Sequence, residues 1–326
     1  MKLNVILAAA WFSGSLFAAE RPSLAVVEKI AGRVGFYNPE GRRIAGVELG
    51  AHPHEIVLSK DKRYLYVSDN GILWMTDPGE GGNTISVIDI QGRKKAGVIS
   101  LGNHRRPHGM DLDLKSGRLL VTIENPDGLL LIDPVARRVL RKYDVQGTDP
   151  HMALFGPDAA WAYVSNAGSG SIAAVDLDSG QVKLIPTDAR PQGGTRSVDG
   201  RLIYFTNSDG NSISIIDPAK KERVGTIKTG RGPGRIAMTP DGKTLVYNLQ
   251  AGEAVGFADV ASRKETTVIP LGGRPLSLTM TADGQYAYAG VQDQDKIFVI
   301  SVPRRKIIQV ILTPKGAGPD PALPLP

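Results

Sequence analysis

Residues 197–233 read SVDGRLIYFTNSDGNSISIIDPAKKERVGTIKTGRGP, and the fold follows from their punctuation. An Asp-Gly turn (Asp199-Gly200) leads into RLIYFTN, a short β-branched and aromatic run with the alternation of a strand. A polar turn follows, then NSISIID, then Asp217-Pro218 as a second turn signal, then ERVGTIKTG. Three strands joined by tight turns are antiparallel neighbours. A fourth lies upstream, between Pro191 and the Asp-Gly turn. Four strands followed by a fresh Gly-Pro make one repeating unit.

The unit recurs. Its leading proline appears as Pro53, Pro107, Pro150, Pro191, Pro233 and Pro275, about 42 residues apart except for a first interval of 54. A period near forty with four strands per unit is that of a propeller blade. The third-and-fourth-strand half occurs seven times, beginning at 32–50, whereas the leading half is complete only six times. PSLAVVEK at 22–29 reads as an orphan second strand and GPDPALPLP at 318–326 as an orphan first strand. Joined, they supply a seventh blade built from both ends, which closes the ring and removes exposed sheet edges. The expectation is an all-β, seven-bladed β-propeller over residues 20–326. The 38 glycines and 22 prolines, spread along the chain, supply the turns such a fold demands.

The repeat resembles the YVTN-type β-propeller repeat of YncE-like proteins over residues 22–326. The name-giving second strand occurs here as LYVSDN, LVTIEN, AYVSNA, IYFTNS and LVYNLQ. That resemblance implies the propeller fold and leaves function open. DPHMALFGPDAAWAYVSN at 149–166 is similar to one blade of seven-bladed lactonases and carboxymuconate-type cycloisomerases. Their sites use a histidine with arginines and a glutamate at the channel mouth. Those families usually carry an arginine beside that histidine, where this chain has Pro150 preceded by Asp149.

Residues 1–19 read as a cleaved signal peptide: Lys2, an apolar run from Leu3 to Phe12, then small residues ending at Ala18-Ala19. No later segment is long and apolar enough for a transmembrane anchor. The chain has no cysteine, which excludes disulfides, thiolate metal sites, covalent haem attachment and a lipid-carrying cysteine. The expected location is periplasmic or secreted. A net charge of +6 without a basic run argues against a nucleic-acid partner.

Only five histidines occur, and all lie in or beside three of the proline stretches: HPHE at 52–55, HRRPH at 104–108 and DPH at 149–151. Strands alternate direction, so the proline loop and the loop between strands two and three open on one face. The residues after the prolines, His54, His108, His151, Gln192, Gly234 and Leu276, then form a ring around one channel mouth. The residues before them, including Arg106, Arg190 and Arg274, form a second ring. The one large insertion, GILWMTDPGEGG at 71–82, projects from the same face and carries Trp74.

The expected ligand site is therefore His54, His108, His151, Arg106, Arg190, Arg274, Gln192 and Trp74, holding an anionic small molecule or a protein partner. Histidines that only pack against a neighbouring blade, a divalent metal held by His54, His108 and His151, and acid–base catalysis are the three readings of the cluster. The resemblance to lactonases and cycloisomerases would give His151, His108 and Arg190 the catalytic roles. Arg231 and Arg235 extend the basic rim. Glu124 and Asp127, and QDQD at 292–295, read as acidic turns open to solvent or to a cation. Clustered cations would keep the histidines neutral, with Asp149 as a possible counter-charge for His151.

Overall fold

The computed structural model describes residue 21 and residues 23–326; the expected signal peptide lies outside the described residues. Twenty-eight strands form seven four-stranded antiparallel sheets, the seven-bladed propeller expected. Six blades are continuous in sequence, at 53–100 (blade 1), 105–143 (blade 2), 150–186 (blade 3), 191–228 (blade 4), 233–270 (blade 5) and 275–312 (blade 6). Blade 7 joins Pro319–Pro324 to Leu24–Glu28, Arg33–Tyr37 and Arg43–Glu48, with Ala25 opposite Leu323 and Val26 opposite Ala322. A short 3-10 turn at Gln292–Gln294 is the only helical element among the described residues.

The core is seven seams. Each hydrophobic cluster takes its side chains from two neighbouring blades: Leu120, Leu129 and Tyr143 of blade 2 meet Ala153, Phe155 and Val164 of blade 3, for example. The seams on either side of blade 7 are built the same way, through Phe36 and Ile56 on one side and Val26 and Ile297 on the other. Burial of both faces explains why the middle strands, such as IYFTN and SIAAVD, are apolar with only small polar interruptions. The outermost strands alternate exposed and half-buried residues.

Every leading strand carries an irregularity just after its proline. In blade 1 the register shifts between Pro53 and Ile56, and equivalent shifts follow Pro107, Pro150, Pro191 and Pro233. Such a bulge leaves a backbone N–H without its ladder partner and re-aims side chains. The polar residue of the second strand repairs it. Ser68 Oγ accepts from Glu55 N (2.8 Å), Thr122 Oγ1 from Gly109 N (2.8 Å), Ser165 Oγ from Met152 N (3.0 Å) and Thr206 Oγ1 from Gly193 N (3.1 Å). The same hydroxyls reach the next blade: Thr122 donates to His151 O (2.8 Å) and Ser165 to Gln192 O (2.7 Å). The recurring Ser, Thr or Asn of the second strand thus patches one blade and ties it to its neighbour.

Candidate functional site

The bulges put consecutive residues of several leading strands around the channel axis. The His54 and His108 rings lie 4.0 Å apart and the His108 and His151 rings 4.3 Å apart, both pairs tilted. Three consecutive blades therefore bring these histidines together, all buried. Glu124 Oε1 lies 2.6 Å from His108 Nδ1. Glu124 is buried at its side chain, so the expectation of a solvated turn acid is corrected: its position at the end of a second strand turns it inward.

Charged residues complete the cluster. Lys29 Nζ lies 2.9 Å from His54 Nε2 and 3.4 Å from Asp320 Oδ2, and all three residues are buried. Arg235, from blade 5, forms an ion pair with Glu55 of blade 1, and its Nη1 lies 3.4 Å from His151 Nδ1. Blades 1 and 5 are not neighbours, so this pair is a strut across the channel. Arg235 belongs to the interior rather than to the rim.

Above this floor opens a cavity of about 920 Å³, lined among others by His54, His108, His151, Arg190, Gln192 and Arg274, with Trp74 of the inserted loop. Lys29, Asp320, Arg231 and Arg235 line it as well. Trp74 is partly exposed, with Lys29 Nζ and the Arg274 guanidinium each 5.7 Å from its ring centre. Arg190 and Arg231 make no side-chain hydrogen bond or ion pair among the described residues, whereas Arg274 donates to Gln250 Oε1 (3.3 Å). Two unpaired guanidinium groups on a concave wall are suited to a carboxylate or phosphate.

Arg106 differs from the other expected ligand residues. It is not among the cavity-lining residues, and it donates to the carbonyls of Met75 (3.2 Å), Asp77 (2.8 Å) and Gly79 (2.7 Å). The backbone at Arg106 is left-handed (φ 54°), and its side chain clasps the inserted loop that carries Trp74. Asp149 has no polar contact with His151; that histidine faces Arg235 instead. His52 and His104 are not among the cavity-lining residues. Of QDQD, Asp295 accepts from the backbone N–H groups of Gly316 (2.7 Å) and Gly318 (2.8 Å), holding the approach to the closing strand.

Burial, ahead of the neighbouring histidines and cations, holds His54 and His151 well below the usual imidazole range. Burial likewise lowers Lys29, opposed by Asp320, and raises Asp320, opposed by Lys29. His54 and His151 are thus biased toward the neutral form, with desolvation as the first cause rather than the repulsion between cations that was expected. For stability the sign follows from linkage: below about pH 6.5 the unfolded chain takes up protons at these two positions while the folded one does not. Stability is therefore expected to fall as pH drops below about 6.5, by at most about 1.4 kcal/mol per pH unit for each histidine. Urea melts at a series of pH values check this; His54→Gln and His151→Gln should each flatten the slope.

The chain matches no protein-family model. It is 31% identical over 123 residues to Protein NirF of Pseudomonas aeruginosa, a match that spans 37% of this chain and 31% of NirF. Among solved structures it is similar to dihydro-heme d1 dehydrogenase NirN in complex with DHE (TM-score 0.68, 18% identity, 96% of this chain and 77% of that one). Hydrazine synthase of Kuenenia stuttgartiensis is similar to the same degree (TM-score 0.68, 18% identity, 80% and 86%). A functionally unknown protein of Desulfotomaculum acetoxidans superposes at TM-score 0.77 with 14% identity over 93% and 98% of the two chains. Among the described residues no helix is long and apolar enough to cross a membrane. At these identities the solved structures share a fold with this chain, and the chain is a seven-bladed β-propeller.

Proposed function

We propose that the protein is an exported binding module, periplasmic or secreted, whose central cavity holds a carboxylate-bearing small molecule. The observation that carries this reading is the wall of the cavity: Arg190 and Arg231 without partners, Arg274 beside Trp74, and neutral histidines beneath. A guanidinium fork on each carboxylate with an aromatic face alongside is a common solution for an anionic ring compound. NirN, one of the structurally similar proteins, was solved in complex with DHE and is named a dihydro-heme d1 dehydrogenase. A haem-type molecule, which joins carboxylates to a large ring, is accordingly the first candidate to test. Trp74 fluorescence titrated with haem and with simple di- and tricarboxylates measures binding. Arg190→Ala is expected to weaken it about tenfold or more, the loss of a charge-assisted hydrogen bond of about 1.5 to 3 kcal/mol. Affinity for all probes unchanged in Arg190→Ala and Arg231→Ala would remove the reading.

A lactonase- or cycloisomerase-like reaction is the second reading, and the Glu124–His108 hydrogen bond favours it. A carboxylate on Nδ1 orients the imidazole and fixes its tautomer, as a general base requires. His108 or His151 would then act as base, with Arg190 holding the substrate carboxylate. Turnover of a panel of carboxylated lactones, abolished by His108→Ala, supports this reading; no turnover of any of them eliminates it.

A further inference from the structure

We propose that the floor of the cavity is a transition-metal site, with His54, Glu55 and His108 as its protein ligands and a fourth position open to the cavity. The three residues are buried, and each offers a ligand atom within 4.8 Å of the other two. Two of the nitrogens involved in this corner are conspicuous: His54 Nδ1 and His108 Nε2 are buried with no hydrogen-bond partner among the described residues. Buried polar atoms seldom go unpartnered, and two imidazole nitrogens beside a carboxylate are a donor set for Zn²⁺, Co²⁺ or Cu²⁺.

The surroundings are arranged as such a site needs. Glu124 accepts a hydrogen bond from His108 Nδ1–H, which leaves the lone pair on Nε2 and fixes the ring, the carboxylate–histidine relation found behind metal ligands. Glu55 Oε1 lies 3.8 Å from His54 Nδ1, and Arg235 pairs with the same oxygen, which leaves Oε2 to turn toward an ion. His54 presents Nε2 to Lys29 Nζ at 2.9 Å and Nδ1 to the corner it shares with Glu55. Ligand atoms around a tetrahedral ion with bonds of about 2.0 to 2.2 Å stand roughly 3.4 Å apart, so small side-chain rotations close the site. His151, expected as the third ligand, stands outside this set; its Nδ1 faces Arg235 at 3.4 Å. Asp320, also with an unpartnered buried oxygen, lies 4.0 Å from His54 Nδ1 and supplies negative charge nearby.

The site rests on the reading of the cavity above only for what fills the fourth position, where a carboxylate held by Arg190 or Arg231 would bind the ion directly. Zinc, cobalt or copper chloride alone is therefore the first probe. Elemental analysis after loading and desalting is expected to find about one ion per chain, with a visible cobalt spectrum of low-symmetry N/O coordination. His108→Gln and Glu55→Gln should each weaken zinc binding at least tenfold, and Glu124→Gln by about ten- to a hundredfold; His104→Gln, a histidine outside the cavity, should leave it unchanged. Melting curves taken without metal establish that each variant is folded, and a conservative double variant, His54→Asn with His108→Gln, provides a second reading should one single variant unfold. No retained ion from any of the three metals, or equal retention by the folded His108→Gln and Glu55→Gln chains, overturns the site. Carboxylate binding measured in the presence of a chelator separates the two ideas: binding that persists there, with no ion retained, leaves the anion cavity standing and removes the metal.

Discussion

Removal of residues 317–326 is expected to unfold the protein or to lower its melting temperature by more than ten degrees, far more than trimming a surface segment would. The deleted stretch contains the innermost strand of blade 7, paired with Leu24–Glu28. Its loss strips Ala322, Leu323 and Leu325 from the two seams beside that blade and exposes a strand edge at the centre of the ring. It also removes Asp320 and leaves Lys29 buried without its carboxylate, a loss typically worth about 3 to 5 kcal/mol by itself. Asp320→Asn isolates that part, so the difference between the point variant and the truncation measures the strand. Thermal melting followed by circular dichroism is the measurement. A truncated chain that melts with the intact one would show that ring closure contributes nothing.

Breaking the strut across the channel carries the second large effect. Glu55→Ala leaves the Arg235 guanidinium buried without its ion-pair partner, and the expected destabilisation is about 3 to 5 kcal/mol. Arg235→Ala should cost a similar amount, because Glu55 is then the uncompensated charge. The paired replacement Glu55→Leu with Arg235→Met should recover most of the stability, since an apolar pair of similar volume needs no desolvation of charge. Urea unfolding of the parent chain, Glu55→Leu, Arg235→Met and their combination forms a double-mutant cycle. Additive losses, with no recovery in the double variant, would mean that the two residues act separately rather than as a strut.

The fold was legible because the blade is written out repeatedly in turn residues and alternating strands, and because two orphan halves pointed to a joined blade. The meeting of His54, His108 and His151 was legible from their shared place after a proline. The charged half of the site was not. Reading one residue per blade overlooks that the bulge brings the next position to the axis as well, which is how Glu55 and Arg235 come to meet. Asp320 had a visible signal, since it follows Pro319 as His54 follows Pro53. Lys29, at the end of a second strand, had only the general rule that such loops share the mouth. Arg106 and Arg190 occupy equivalent places, yet one clasps a loop and the other lines the cavity; the insertion in blade 1 supplies the carbonyls that capture the first.

Three ties between adjacent blades pass through the carbonyl groups of the axial ring, not through its side chains. Thr122 bonds the carbonyl of His151, Ser165 that of Gln192 and Thr206 that of Gly234, so a histidine, an amide and a bare glycine satisfy the same connection equally well. Selection can exchange the groups that face a ligand while the joints of the ring stay as they are. For protein engineering the same separation makes Gln192 and Leu276, which line the cavity, adjustable positions, where new ligand preferences can be written onto an unchanged frame.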